Sequence, residues 1–221
     1  MSNLPHKKQH SLLIFIILLI IIIVAAVFIY LGIKGKTATP FENIKIAGVV
    51  LPHAQAIQPF QLIDQNGQLF NQNNLKGKWT FLFFGFTNCP YVCPTTLAEL
   101  NKMYKMLQKE LPADKLPQII LVSVDPKRDT VNRMKQYIQV FNKNFIGLQG
   151  GEAETIAFEQ QLHISAIKMQ AAGQSSDHYM INHSAEILLF NPEGKLQAYF
   201  SYPHEANQMD ADYKLILNAK E

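Results

Sequence analysis

Residues 77–94 read GKWTFLFFGFTNCPYVCP. Within them Trp79–Gly85 is an apolar run interrupted only by Thr80. It lacks the alternation of a half-wetted strand and is short for a helix, so it reads as a central strand buried on both faces. A turn carrying Cys89 and Cys93 follows, then a helix expected over Pro94–Lys109. Its Leu97, Leu100, Met103, Tyr104 and Leu107 fall on one stripe, as a core-facing helix requires. Downstream come a strand (Gln118–Val124), a helix (Thr130–Asn142), a short strand (Phe145–Leu148) and a helix (Glu152–Leu162). Glu186–Phe190 and Leu196–Ser201 flank the turn Asn191-Pro192-Glu193-Gly194 and read as a hairpin. A last helix is expected from Glu205 to Asn218. Upstream, Ile57–Ile63 reads as a strand and Asp64–Gly67 as a turn. Alternating strands and helices closed by an antiparallel hairpin make an α/β domain, a mixed sheet flanked by helices, expected over residues 56–221. Residues 32–55, with Gly32, Gly35 and Pro40 and a weak strand at Ile44–Val50, read as a linker.

Farther toward the N-terminus, Leu12–Leu31 is twenty residues without a charge, Pro, Gly, Asn or Gln. At about 1.5 Å per residue such a helix is roughly 30 Å long, the thickness of a bilayer's hydrocarbon core. A cleaved signal peptide is the rival reading, but signal h-regions run only about 7–15 residues, and Lys34 and Lys36 follow in place of a small-residue cleavage site. The segment therefore reads as an uncleaved transmembrane anchor over 12–31, with residues 1–11 as a cytoplasmic N-terminus. Lys7 and Lys8 before the span are matched by Lys34, Lys36 and Lys45 after it, so the positive-inside count alone sets no orientation.

The chain has 221 residues, 48% hydrophobic and 17% charged, with a net charge of +3. Setting aside Lys7 and Lys8 leaves 18 basic against 17 acidic residues, dispersed along the chain. That balance argues against nucleic-acid binding, which needs a basic stripe. Two cysteines exclude a disulfide-dense scaffold.

Cys89 and Cys93 sit just past a buried strand, at a helix start. Free backbone N–H groups and the positive end of the helix dipole favour thiolate there. Thiolate binds metals and attacks disulfides. The three-residue gap is not C-x-x-C, and no second cysteine pair exists for a four-sulfur zinc site. A further ligand would come from the histidines: His6, His10, His53, His163, His178, His183 and His204. His6 and His10 precede the span. His183 stands in Tyr179-Met180-Ile181-Asn182-His183-Ser184, in a loop expected to enter the strand Glu186–Phe190 beside the cysteine-bearing strand. Met103, Met106, Met169 and Met180 are possible thioether donors; Met103 and Met106 read as helix packing, and Met180, three residues before His183, is the only one to test.

Three stretches now resemble a known family. GKWTFLFFGFTNCPYVCP (77–94), LVSVDPKRDT (121–130) and Tyr179 with His183-Ser184 are similar to the Sco/SenC family of membrane-anchored, thioredoxin-like copper proteins. The resemblance implies copper as the ion, as Cu(I), Cu(II) or both, with Cys89, Cys93 and His183 as its ligands. The chemistry agrees, since two soft thiolates and an imidazole suit low-coordinate Cu(I), and Cu(II) adds a weak outer ligand. Two departures stand out: Tyr91 between the cysteines and Asn182 before the histidine replace the family's usual aspartates. If a carboxylate at 182 tunes the metal shell, Asn182→Asp is expected to strengthen Cu(II) binding. In Asp125–Thr130, Asp129 or Thr130 is expected to cap the following helix, with Asp125 at the rim of the site or on a partner surface.

The resemblance further implies a metallochaperone that delivers copper for assembly of a respiratory cytochrome c oxidase. Its partners would be the oxidase's copper-bearing subunit and a periplasmic copper donor. The alternative is a thiol–disulfide oxidoreductase cycling Cys89 and Cys93; a peroxidase is a third reading. Thioredoxin-like oxidoreductases place a cis-proline opposite their cysteines, whereas here no proline lies between Pro126 and Pro192. Oxidase copper centres are assembled outside the cytoplasm, and an Arg-rich mitochondrial presequence is missing from the N-terminus. The expected location is the bacterial inner membrane, single-pass, with the domain in the periplasm.

Overall fold

In the computed structural model, which describes residues 6–34, 40–41, 44–170 and 179–220, the apolar run forms β4 (Thr80–Gly85), and all six of its residues are buried. Before it come β1 (Gly48–Gln55), β2 (Gln61–Asp64) and β3 (Leu69–Asn71). After it follow α2 (Val92–Glu110), β5 (Gln118–Ser123), α3 (Val131–Phe141), β6 (Ile146–Gln149) and α4 (Glu152–Gln161). The chain closes with β7 (Ala166–Met169), β8 (Met180–His183), β9 (Ile187–Phe190), β10 (Leu196–Phe200) and α5 (Ala206–Lys220).

Eight strands form one mixed sheet in the order β1-β10-β9-β4-β5-β6-β2-β3. β4 runs parallel to β5 and antiparallel to β9, so it is bonded along both edges. Side chains alternate faces along a strand. Phe81 meets Tyr213 of α5 at 5.4 Å, and Phe84 meets Phe158 of α4 at 5.6 Å, which puts α5 and α4 on opposite faces of β4. Each fully buried Phe contributes roughly 1.5–3 kcal/mol, so this strand is a large share of the core. α2 buries Cys93, Thr96, Leu97, Leu100, Met103, Tyr104 and Leu107 on one stripe and packs beside α5. A mixed sheet flanked by helices is the architecture expected from the alternation of elements.

Three boundaries differ from expectation. Residues 48–55 are not linker: β1 pairs with β10 and extends the sheet eight residues before Ala56. A Cβ on Gly48 would lie 1.9 Å from the Tyr199 carbonyl oxygen, so only glycine fits this approach. Part of the expected linker, 35–39 and 42–43, lies outside the described residues, as do 1–5 of the N-terminal segment. α2 begins at Val92, two residues before Pro94. Proline is tolerated there because the first-turn N–H groups have no helical partner to lose. Finally, β7 and β8 form a separate two-stranded antiparallel ribbon that the sequence did not announce.

The N-terminal unit is α1 (His6–Lys34), and everything from Pro40 belongs to a second compact unit. Within α1, Leu12–Tyr30 has a mean hydropathy of 3.8, and none of that segment is buried against protein. It is a candidate membrane anchor by length and composition.

Candidate metal centre

β4 ends at Gly85, and the chain turns through Cys89, whose N–H donates to the Phe86 carbonyl at 3.2 Å. Cys93 is the second residue of α2 and is buried. Its backbone N–H, one of the free donors of the first helical turn, points at Cys89 Sγ at 3.4 Å. Gly85 makes room for the second sulfur. A Cβ there would lie 2.9 Å from Cys93 Sγ and 3.0 Å from the Phe83 ring. Gly85→Ala is therefore expected to displace Cys93 and to cost about 1–3 kcal/mol through overpacking. Urea unfolding measures the loss.

His183 comes from the other arm. It is the last residue of β8 rather than part of a loop, and Ser184 N–H ties that strand end to the Ser165 carbonyl at 2.8 Å. His183 Nδ1–H donates to the Ser184 carbonyl at 2.7 Å. A carbonyl only accepts, so the lone pair of the neutral ring sits on Nε2. Nε2 faces the sulfurs, 3.4 Å from Cys93 Sγ. Phe83 and Phe86 hold the ring edge-on at 6.0 and 5.7 Å. The donor atoms of Cys89, Cys93 and His183 all lie within 4.8 Å of one another. Bonds of roughly 2.0–2.3 Å to a common ion would set such donors about 3.5–4 Å apart, so little movement is needed to close on a metal.

Both cysteines are unbridged. The hydrogen bond from Cys93, with contributions from His183 and the N–H groups of Cys93 and Tyr91, lowers the Cys89 thiol to about 4 despite burial. The bond to Cys89, burial and the neighbouring negative sulfur push Cys93 up. The pair thus holds one proton between two sulfurs over a wide range around neutrality.

Residues 50–218 match the SCO1/SenC family. The chain belongs to that family. It is 34% identical over 169 residues to an SCO2-like protein of Rickettsia conorii, covering 76% of this chain and 75% of that protein. A copper-bound ScoI structure from Bradyrhizobium japonicum superposes with a TM-score of 0.64 at 36% identity, over 72% of this chain and 98% of that one. Copper-bound ScoI from Arabidopsis thaliana gives 0.66 at 29% identity, over 73% and 98%. The Sco thioredoxin-like fold is therefore that of this chain.

In this Sco protein the stretch Asp125–Asp129 braces both arms of the site. Asp129 is fully buried and accepts from Thr87 Oγ1 at 2.5 Å and Thr87 N–H at 3.1 Å, so it holds the cysteine turn. Its other bond, from Ser123 Oγ at 2.6 Å, anchors that turn to β5. Asp125, also buried, accepts from Tyr179 Oη and pairs with Arg128 Nε. Arg128 in turn donates to the Tyr179 carbonyl at 3.1 Å and lies 3.7 Å over the Tyr179 ring. Tyr179 directly precedes β8, so this cluster fixes the strand that ends in His183. Asp125 is thus an internal brace, neither rim nor partner surface, because it has no exposed area. The helix cap is Thr130, which accepts from Arg133 N–H at 3.3 Å.

The side chains at the two departures from the family pattern are both exposed. Tyr91 is 78% exposed and stands at the N-cap of α2 without a side-chain capping bond. Asn182 is exposed and, one residue from His183 on a strand, points to the opposite face of the ribbon. A direct role for residue 182 in the metal shell therefore loses its geometric basis. Among the other histidines, His53 and His163 are exposed, and His204 is buried with Nε2 against the Ala185 carbonyl at 2.7 Å. His178 and the side chains of His6 and His10 lie outside the described residues. Met103 is fully buried and Met106 packs on the core.

Proposed function

We propose that this Sco protein binds copper through Cys89, Cys93 and His183 and hands it to the copper-bearing subunit of a respiratory cytochrome c oxidase during assembly. The observation that carries the reading is the convergence of two sulfurs and an imidazole lone pair within 4.8 Å. Two thiolates and one imidazole are a soft, low-coordinate set suited to Cu(I). Zinc would want a fourth ligand. Copper bound to related Sco proteins supports the same assignment. Partial exposure of Cys89 leaves one side of the site open to an acceptor, and a periplasmic donor would load it from that side. We place the domain in a bacterial periplasm, anchored to the inner membrane by α1. A reporter fused after Glu221 tests that placement, and cytoplasmic reporter activity overturns it.

The depressed Cys89 thiol favours a second reading, a thiol–disulfide reductase. In that cycle Cys89 and Cys93 form a disulfide, giving two electrons and their shared proton to a partner disulfide that takes a second proton from water and becomes two thiols. One experiment separates the readings. The copper-loaded full chain in detergent is mixed with the reduced, copper-free oxidase subunit. Transfer of copper with no change in thiol count is the expected result. Copper retained by the chain, with an oxidised subunit reduced by the copper-free chain instead, would favour the reductase.

A further inference from the structure

The β7–β8 ribbon has two unlike faces. Cross-strand partners share a face, and the register pairs Ala166 with His183, Ile167 with Asn182, Lys168 with Ile181 and Met169 with Met180. The inner face carries Ile181, which is buried, and His183. The outer face carries Ile167, Met169, Met180 and Asn182, all exposed. Met169 and Met180 are 54% and 45% exposed, so packing does not account for them. An apolar patch on a two-stranded ribbon is an aggregation liability unless it has a use.

Directly opposed residues on antiparallel strands have Cβ atoms roughly 4.5–5.5 Å apart. Each methionine adds three flexible torsions and a thioether, so both sulfurs can meet at one ion. Thioethers are neutral and soft. They select Cu(I) and discriminate against zinc and hard cations, and no carboxylate stands among the four outer-face residues to recruit those ions. We propose that Met169 and Met180 form a second, weaker site for a monovalent soft metal ion, Cu(I) in the cell. Two neutral sulfurs hold such an ion less tightly than two thiolates and an imidazole. Met180 and His183 share one strand and lie three residues apart, roughly 10 Å, so the outer site is placed to receive copper close to the centre that keeps it. The identity of the cargo rests on the copper reading above. Soft-metal binding at the methionines does not.

The test uses the full chain in detergent micelles with carbon-13 in its methionine methyl groups, titrated with Ag(I) as a redox-inert stand-in for Cu(I). The first equivalent should consume the cysteine thiols and leave the Met169 and Met180 methyl signals in place. The second should shift both and leave Met103, Met134 and Met209 unmoved. In Met180→Leu the first equivalent should bind as before, and Ag(I) should bind Met169 at least about tenfold more weakly. A second equivalent that moves neither methyl overturns the proposal, as does a Met169 shift that persists unchanged in Met180→Leu. A chain carrying Cys89→Ser, Cys93→Ser and His183→Ala should keep the methionine shifts, and losing them there also overturns it. Failure of the first ion to reach the thiols of the unsubstituted chain would count against the copper reading alone, while the methyl signals still decide this proposal.

Discussion

His183→Ala is expected to lower Cu(II) affinity by more than about a hundredfold. Loss of an outer-shell partner alone costs roughly 10–100-fold at metal sites, and this change removes the proposed nitrogen ligand itself. The Nδ1–H bond to the Ser184 carbonyl fixes the ring with Nε2 toward Cys93, and no other described imidazole can take that place. His204, a buried ring, is committed to the Ala185 carbonyl. Cu(I) should suffer less, because two thiolates satisfy a soft two-coordinate ion. The thiol–disulfide midpoint of Cys89 and Cys93 should move little by comparison. Competition against a chromophoric chelator, for each oxidation state, measures the effect. Equal Cu(II) dissociation constants for the variant and the unsubstituted chain would remove His183 from the site.

The second large effect concerns the proton shared by the cysteines. With its thiol lowered to about 4, Cys89 should react with iodoacetamide at a rate already on its plateau at pH 6, where an ordinary cysteine is barely ionised. Cys93 should stay nearly inert over the same range. Cys93→Ala removes the side-chain donor that most lowers Cys89 and should carry its midpoint toward the ordinary thiol value. Loading Cu(I) into the unsubstituted chain at neutral pH should release one thiol proton rather than two. The same shift sets a stability profile for the metal-free chain. The fold lowers the Cys89 thiol to about 4, against 9.0 for an unperturbed thiol. Between those values the unfolded chain holds the extra proton, so stability rises with pH through the window and is lost as pH falls toward 4. An alkylation midpoint for Cys89 above pH 8 would overturn this account.

Much of this was legible in the residues because the signals were strong and local. Trp79–Gly85 could only be a doubly buried strand, and the apolar stripe of α2 announced its facing. The cysteine pair stood out because the chain has no others. The meeting of His183 with Cys93 is a contact across 90 residues, which no periodicity reveals; its place just before the strand Glu186–Phe190 and the family resemblance pointed to it. The β7–β8 ribbon escaped notice because Ala166–Met169 and Met180–His183 are four-residue strands of mixed polarity with no tight-turn signal between them. β1 showed only as a weak strand at Ile44–Val50 inside a linker, because its pairing is decided at Gly48 by a backbone approach, not by side-chain patterning. The role of Asp125 and Asp129 was misjudged for a related reason: acidic residues at a strand end look like surface, and only burial shows them to be internal struts.

Those struts change how defects in the protein should be interpreted. Because the cysteine turn hangs on Asp129 and the histidine strand on Asp125 and Arg128, damage at Asp129 would loosen the two sulfurs, and damage at Asp125 or Arg128 the imidazole, while leaving each donor chemically intact. A survey that examined only the three proposed ligands would pass such a protein as sound, although it could no longer bring them to a common point.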